Sequence, residues 1–169
     1  MGSFDLLLFH SLGDKMLQQA IDFKEESDAL FNLLKDQEEK IFQKKTQFKG
    51  WTIDNVLHHL HVWNVAADMS LVSDKKIVQF LEDFFNAVNK GYNARQYEKE
   101  LSNNKTGKDL LYLWKEFYEE MTENFKSSDP KKRVKWAGPD MSVISSITAR
   151  LMETWSHGQE VYDMIGVKR

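Results

Sequence analysis

The sequence contains no cysteine among its 169 residues. This absence excludes disulfide bonds, a zinc site built from thiolates, and a nucleophilic thiol that belongs to the protein. A transition metal would therefore have to be bound by histidine and carboxylate side chains, and sulfur chemistry would depend on a small-molecule thiol. Proline and glycine are also scarce, with two and eight residues, which favours long helices over turn-rich β structure.

The sequence also lacks a long hydrophobic run and an excess of positive charge. No stretch approaches the roughly 18 apolar residues of a membrane span. The N-terminal run LLLF is short and is interrupted by Asp5 and His10, which is unlike a secretory signal. We therefore expect a cytoplasmic protein that does not associate with membranes. The formal net charge of −3 gives no general electrostatic basis for binding nucleic acid.

Apolar residues recur at spacings of three and four along most of the chain, which predicts helices. The predicted helices run from Asp14 to Phe42, from Thr52 to about Ser70, from Ser73 onwards, from Thr106 onwards, and from Ser142 to about Gly166. Thr106 and Asp109 have the spacing of a capping box. Long helices with short connections predict an all-α fold, an antiparallel up-down four-helix bundle. We assign residues 16–169 to this single domain and residues 1–15 to a short N-terminal extension.

One connection is longer than a bundle needs. The segment at 127–142, SSDPKKRVKWAGPDMS, is predicted to be irregular, and loops of this length often cover a site. It contains the basic run KKRVKW at 131–136. We interpret this run first as a solvated turn, and the alternative is an anion-attracting rim beside a pocket.

Three of the five histidines lie in the segment LHHLHVW of the second predicted helix. The inward-facing apolar stripe of this helix consists of Val56, Leu60, Trp63 and Ala67. His59 falls at the edge of that stripe, so we expect it to be partly buried, whereas His58 and His61 point away from it. A buried imidazole needs a polar partner. That partner is either a backbone carbonyl or water, or else a metal ion.

The last predicted helix contains Glu153 and His157, four residues apart and therefore on one strip of the helix. The pair is open to two interpretations, an exposed surface pair and two ligands of a metal ion, and the helical wheel alone slightly favours the first. Together with His59, the pair would give three protein ligands and open coordination positions. That composition is typical of a catalytic zinc site and also suits Ni²⁺ or Fe²⁺.

Three further side chains near these residues have predicted roles. Arg150, one turn before Glu153, is a candidate for binding a substrate carboxylate or for pairing with Glu153, and the structural role is favoured. Trp63 and Trp155 are expected to be core residues more than a platform for a substrate.

Two segments resemble a known family. GWTIDNVLHHL at 50–60 resembles the tryptophan-led segment that carries the first metal histidine in the DinB/YfiT-like metal-binding superfamily. RVKWAGPDMSVISSITARLMETWSHGQEVYDMIG at 133–166 resembles the final helix of the branch related to the N-terminal domain of mycothiol-dependent maleylpyruvate isomerase. The resemblance implies a four-helix bundle with a divalent cation, usually zinc, bound by His59, Glu153 and His157.

The resemblance also implies thiol chemistry, because characterised relatives use low-molecular-weight thiols such as mycothiol or bacillithiol in isomerisation or sulfur transfer. We therefore expect a metal-dependent enzyme of the thiol transferase or isomerase type, with a small thiol and an electrophilic substrate as partners. The alternatives are a hydrolase that uses metal-bound water and a non-catalytic bundle with a structural metal. A homodimer is also expected, since a helical bundle with exposed apolar stripes can pair with itself.

Overall fold

The computed structural model describes residues 17–169, so the predicted N-terminal extension at 1–15 lies outside the described residues. The helices are α1 (Gln18–Leu34), α2 (Ile53–Val72), α3 (Asp74–Asn89), α4 (Ala94–Leu101), α5 (Gly107–Lys126) and α6 (Val143–Ile165). A 3₁₀ turn at Glu39–Gln43 connects α1 to α2, and two short strands, β1 (Arg133–Val134) and β2 (Met141–Ser142), precede α6. The all-α prediction is confirmed.

Four helices form the bundle, and α1 and α2 each pack against both α5 and α6. Helices α2 and α5 run in the same direction. The Asp54 carboxylate near the start of α2 accepts a hydrogen bond from the backbone N–H of Gly107 at the start of α5. Near the other ends of these helices, Asn124 donates to Asp68. This parallel pair arises because α3 and α4 return the chain to the end of the bundle at which α2 begins.

The side chains that cap the helices confirm most of the predicted helix starts. Thr52 accepts from the backbone N–H of Asn55 at 3.1 Å, and the Asn55 side chain accepts from the Thr52 N–H at 3.1 Å, a complete capping box. The capping box predicted at Thr106 is wrong, since the Thr106 side chain makes no capping hydrogen bond. Asp54 supplies the acceptor at this helix start instead, at 2.9 Å from the nitrogen of Gly107.

Several elements differ from the predicted boundaries. The first helix ends at Leu34 and not at Phe42, and a 3₁₀ turn follows. Helix α4 was not predicted, because its eight residues are too few for a clear apolar period. The connection before α6 contains an antiparallel pairing in which Arg133 is opposite Ser142. This pairing carries Trp136 over the bundle, where its ring lies 5.9 Å from that of Trp63.

The expectation that His58 and His61 point away from the interior is wrong. Their exposed fractions are 1% and 6%, so both are more buried than His59. The physical reason is that α2 has almost no free side: it packs against α5 and α6 in the bundle and also against α3, α4 and the 3₁₀ turn. A residue outside the bundle-facing stripe of α2 is therefore still covered by another element.

Within residues 17–169, no helix combines the length and apolar character that crossing a membrane requires.

Candidate metal centre

Three side chains from α2 and α6 converge on one point. Nε2 of His59 lies 3.2 Å from Oε2 of Glu153, and Nε2 of His157 lies 3.4 Å from the same oxygen. One ligand atom from each of the three residues lies within 4.8 Å of the other two. The three predicted metal ligands are thus brought together, although His59 is more than 90 positions from Glu153 and His157 in the sequence.

The convergence follows from the antiparallel packing of α6 on α2. Arg150 contacts Asn64 and, one turn later on α6, Glu153 contacts His59, so the two helices run in opposite directions through the site. His157 is 9% exposed and faces His59 with ring centroids 5.0 Å apart. The Glu153 side chain is about half-exposed, but His157 is buried and both residues face His59. The two are therefore not an exposed surface pair, which was the interpretation that the helical wheel favoured.

The electrostatic environment keeps Glu153 ionised. Hydrogen bonds with His157 and His59 hold the pKa of the Glu153 carboxyl well below its usual range, and the positive charge of Arg150 acts in the same direction. At neutral pH the site therefore presents one carboxylate and two imidazoles. This ligand set fits a divalent cation such as Zn²⁺ or Ni²⁺.

A second carboxylate, that of Glu98 on α4, borders the site and was not predicted from the sequence. Its side chain is fully buried, and its Oε1 lies 3.0 Å from Nδ1 of His59, on the ring edge opposite Glu153. The indole N–H of Trp63 donates to the same oxygen at 3.0 Å. No local signal identifies Glu98, because a charged residue in the segment ARQYEKEL is typical of a solvated helix.

A cavity of about 240 Å³ opens beside the candidate ligands. Its walls are formed by His59, Trp63, Trp136, Ala137, Arg150 and Glu153. Trp136 and Ala137 belong to the connection between β1 and β2, so the long segment before α6 does cover the site. The basic residues at 131–133 of the run are exposed, as in a solvated turn, and they are not part of the cavity wall. Trp136, at the end of the run, does reach the cavity.

Arg150 is buried in this wall with few partners. Its Nε donates to Oδ1 of Asn64 at 3.1 Å, and its Nη2 has no hydrogen-bond partner among residues 17–169. Burial lowers the pKa of the guanidinium to about 10, against the opposing effect of Glu153. Arg150 therefore remains charged at neutral pH at the edge of the cavity.

The two tryptophans of the sequence prediction differ in burial. Trp155 is 54% exposed, so its assignment to the core is wrong. It lies on the outer side of α6, between the buried residues Thr154 and His157. Trp63 packs against Phe84, with ring centroids 5.2 Å apart, and also forms part of the cavity wall.

The fold and the site define a four-helix bundle with a candidate metal centre of two histidines and one glutamate. The family model described as the mycothiol maleylpyruvate isomerase N-terminal domain matches residues 23–162. The chain therefore belongs to this family, which is one of the DinB/YfiT-like families.

The curated relatives include two uncharacterized proteins from two strains of Mycobacterium tuberculosis. Each is 31% identical to this chain over 148 residues, which is 88% of the chain and 56% of the relative. The chain thus spans little more than half the length of these relatives. No solved structure matched the chain significantly.

Proposed function

We propose that this protein binds a divalent cation through His59, Glu153 and His157 and uses it to activate a low-molecular-weight thiol. Zinc is the expected metal, and nickel is the alternative. The observation that supports the proposal is the convergence of three ligand atoms within 4.8 Å of one another, in a family whose name refers to mycothiol. The reaction would be sulfur transfer to an electrophilic substrate, or an isomerisation that depends on the thiol.

The chemistry of the ligand set suits this reaction. A bound divalent cation lowers the pKa of a coordinated thiol and so supplies thiolate at neutral pH. The chain has no cysteine, so the sulfur would come from a separate molecule. His59 and Glu153 form part of the cavity wall, which places two of the ligands where a guest molecule can reach them. Low-molecular-weight thiols are kept reduced in the cytoplasm, which is the proposed location.

Arg150 is proposed to bind a carboxylate of the substrate. A planar guanidinium can form two parallel hydrogen bonds with a carboxylate, and this one lies in the same cavity wall as His59 and Glu153. Its Nη2 has no hydrogen-bond partner in the part of the chain that the structure describes, so a bound carboxylate would satisfy a donor that is otherwise costly to bury. The competing role of Arg150 is structural, as a partner of Glu153. The two side chains attract each other only at longer range.

The first prediction concerns metal uptake and thiol binding, both measured on the same protein preparation. We expect the metal-free protein to take up about one equivalent of Zn²⁺ or Ni²⁺ per chain, because the three ligands form one site. The loaded protein should then bind a small thiol, and metal-free protein should not. Elemental analysis followed by calorimetric titration with mycothiol, bacillithiol and glutathione measures both quantities.

The same preparation separates the competing functions. Sulfur transfer is supported if an electrophile such as chlorodinitrobenzene is consumed only when both thiol and metal are present. Ester hydrolysis without any thiol would favour a hydrolase that uses metal-bound water. Metal uptake that raises the melting temperature without binding a thiol would favour a structural metal. A protein that cannot be loaded with either metal would contradict the proposal.

The second prediction concerns Arg150. We expect the metal-loaded Arg150→Met variant to bind a small dicarboxylate such as succinate about 10-fold or more weakly, because a hydrogen bond to a charged group contributes about 1.5–3 kcal/mol. Binding of the uncharged succinamide serves as the reference, and Arg150→Lys should retain part of the affinity. Unchanged succinate binding together with a loss of stability would instead assign Arg150 to pairing with Glu153.

A homodimer remains part of the proposal. The outer side of α6 exposes Met152 at 64% and Trp155 at 54%, and apolar residues of this kind suit a contact between two copies. Sedimentation equilibrium measures the state of association. A protein that is monomeric at all concentrations would contradict the proposed homodimer.

A further inference from the structure

A buried ion pair on α4 lies behind the candidate metal ligands. Nη1 of Arg95 is 2.8 Å from Oε2 of Glu98, and the Glu98 side chain has no exposed surface. The other carboxylate oxygen contacts Nδ1 of His59 and the indole nitrogen of Trp63, each at 3.0 Å. A fully buried carboxylate is costly unless it is paired and hydrogen-bonded. The pairing with Arg95 and the contacts with His59 and Trp63 offset this cost.

The contacts of the His59 ring indicate the role of Glu98, because they determine which tautomer of the ring is favoured. Nδ1 of His59 also lies 3.2 Å from Nη1 of Arg95, which can only donate. A neutral ring therefore has two arrangements. Either Nδ1 accepts from Arg95 and the proton on Nε2 is donated to Glu153, or Nδ1 donates to Glu98 and Nε2 presents a lone pair. Only the second arrangement leaves Nε2 free for a cation, and a charged acceptor at 3.0 Å favours it.

Arg95 reaches the other histidine through Trp51. Its guanidinium lies 4.0 Å from the centroid of the Trp51 ring, a distance at which a cation is attracted to the face of an indole. The Trp51 ring is stacked on His157, with centroids 5.3 Å apart and planes 12° from parallel. The same indole contacts the ring of His59 edge-on at 5.3 Å. One ion pair thus makes contact, directly or through Trp51, with both imidazoles.

We propose that Glu98 and Arg95 are positioning residues that orient the two histidines for a cation, with Glu98 setting the tautomer of His59 and Arg95 holding Trp51 against His157. The inference rests on the proposed metal site and adds α4, the shortest α-helix among residues 17–169, to the machinery of that site. An ion pair in the interior is weak evidence for stability by itself. This ion pair also contacts His59 directly and Trp51 through Arg95, so it can orient the candidate metal ligands as well as stabilise the fold.

The test compares two glutamates of the same helix. Glu98→Gln keeps the shape of the side chain and removes its charge. Glu100→Gln makes the identical change at an exposed position whose carboxylate pairs with Tyr92 and Gln96. We expect Glu98→Gln to weaken zinc binding about 10- to 100-fold and Glu100→Gln to leave it unchanged. Zinc affinity is measured by competition with a chelator, and unfolding of the metal-free proteins shows that each variant is folded.

A second variant and a spectroscopic measurement cover the case in which Glu98→Gln does not fold. Trp51→Leu removes the indole that lies between Arg95 and His157 and leaves Glu98 unchanged. We expect both variants to change the visible absorption of the cobalt-loaded protein, which reports coordination geometry. An unchanged spectrum and affinity in folded variants would overturn the inference. If the wild-type protein binds no metal, the proposed function itself fails, so the two failures are distinguishable.

Discussion

His157→Phe is expected to reduce zinc affinity by about 100-fold or more. Structural zinc sites with four ligands bind with about 10–16 kcal/mol, which is roughly 3 kcal/mol for each ligand, and every 1.4 kcal/mol corresponds to a factor of ten. Phenylalanine removes the ligand nitrogen but keeps an aromatic ring against Trp51 and Phe48, both of which contact the His157 ring at 5.3 Å. The loss should therefore appear in metal binding and not in the fold.

The measurement is zinc affinity by competition with a chelator, alongside thermal unfolding of the metal-free protein. Ser156→Ala is a matched control, because Ser156 is the exposed neighbour of His157 on the same helix. It should bind zinc as the wild-type protein does. Thiol-dependent consumption of an electrophile should disappear in His157→Phe and persist in the control. Wild-type zinc affinity in a folded His157→Phe variant would remove this histidine from the site.

The second large effect is a loss of stability as the pH falls from about 6.5 towards 4. Burial lowers the pKa of His58 and of His61 to about 4 in the folded protein, whereas an unfolded histidine titrates near 6.5. Between these values the unfolded chain binds more protons than the folded one, so acid favours unfolding. The stability is fully present above pH 6.5. At full effect each histidine accounts for a loss of roughly 3 kcal/mol.

Urea unfolding of metal-free protein at several pH values measures this loss. A chelator is included so that competition between protons and metal does not contribute. The matched variant is His61→Gln, in which one of the two groups no longer titrates, and its stability should depend less steeply on pH over the same range. Burial raises the pKa of Asp54 and of Asp68, which opposes the effect near the acid end. Equal pH dependence in both proteins would show that His61 is not responsible.

Local features of the fold could be predicted from the sequence because they depend on neighbouring residues. The start of α2 after Thr52 and the left-handed glycine that ends α6, Gly166 with φ of +82°, are read from residue types within one turn. Helix α4 was missed because eight residues contain too little periodicity. The parallel arrangement of α2 and α5 was missed because helix direction depends on the path of α3 and α4 between them.

The candidate site could be predicted only in part. The choice of His59 on α2, and of Glu153 and His157 one turn apart on α6, came from spacing and from a family resemblance. Spacing alone slightly favoured an exposed pair for the last two. Glu98 and Arg95 had no signal of their own, because an acid and a base three residues apart on a helix are usually a solvated pair.

The sequence by itself determined the chemistry that is available to this protein. Without cysteine, any metal must be held by imidazole and carboxylate, and the helical periodicity commits the chain to an all-α bundle. Only the tertiary structure decided that His58 and His61 are buried as well, and which charged residues lie behind His59. The physical reason is that helical spacing specifies the direction of a side chain around its own axis. Its surroundings depend on the elements packed there, and for α2 these come from distant parts of the chain.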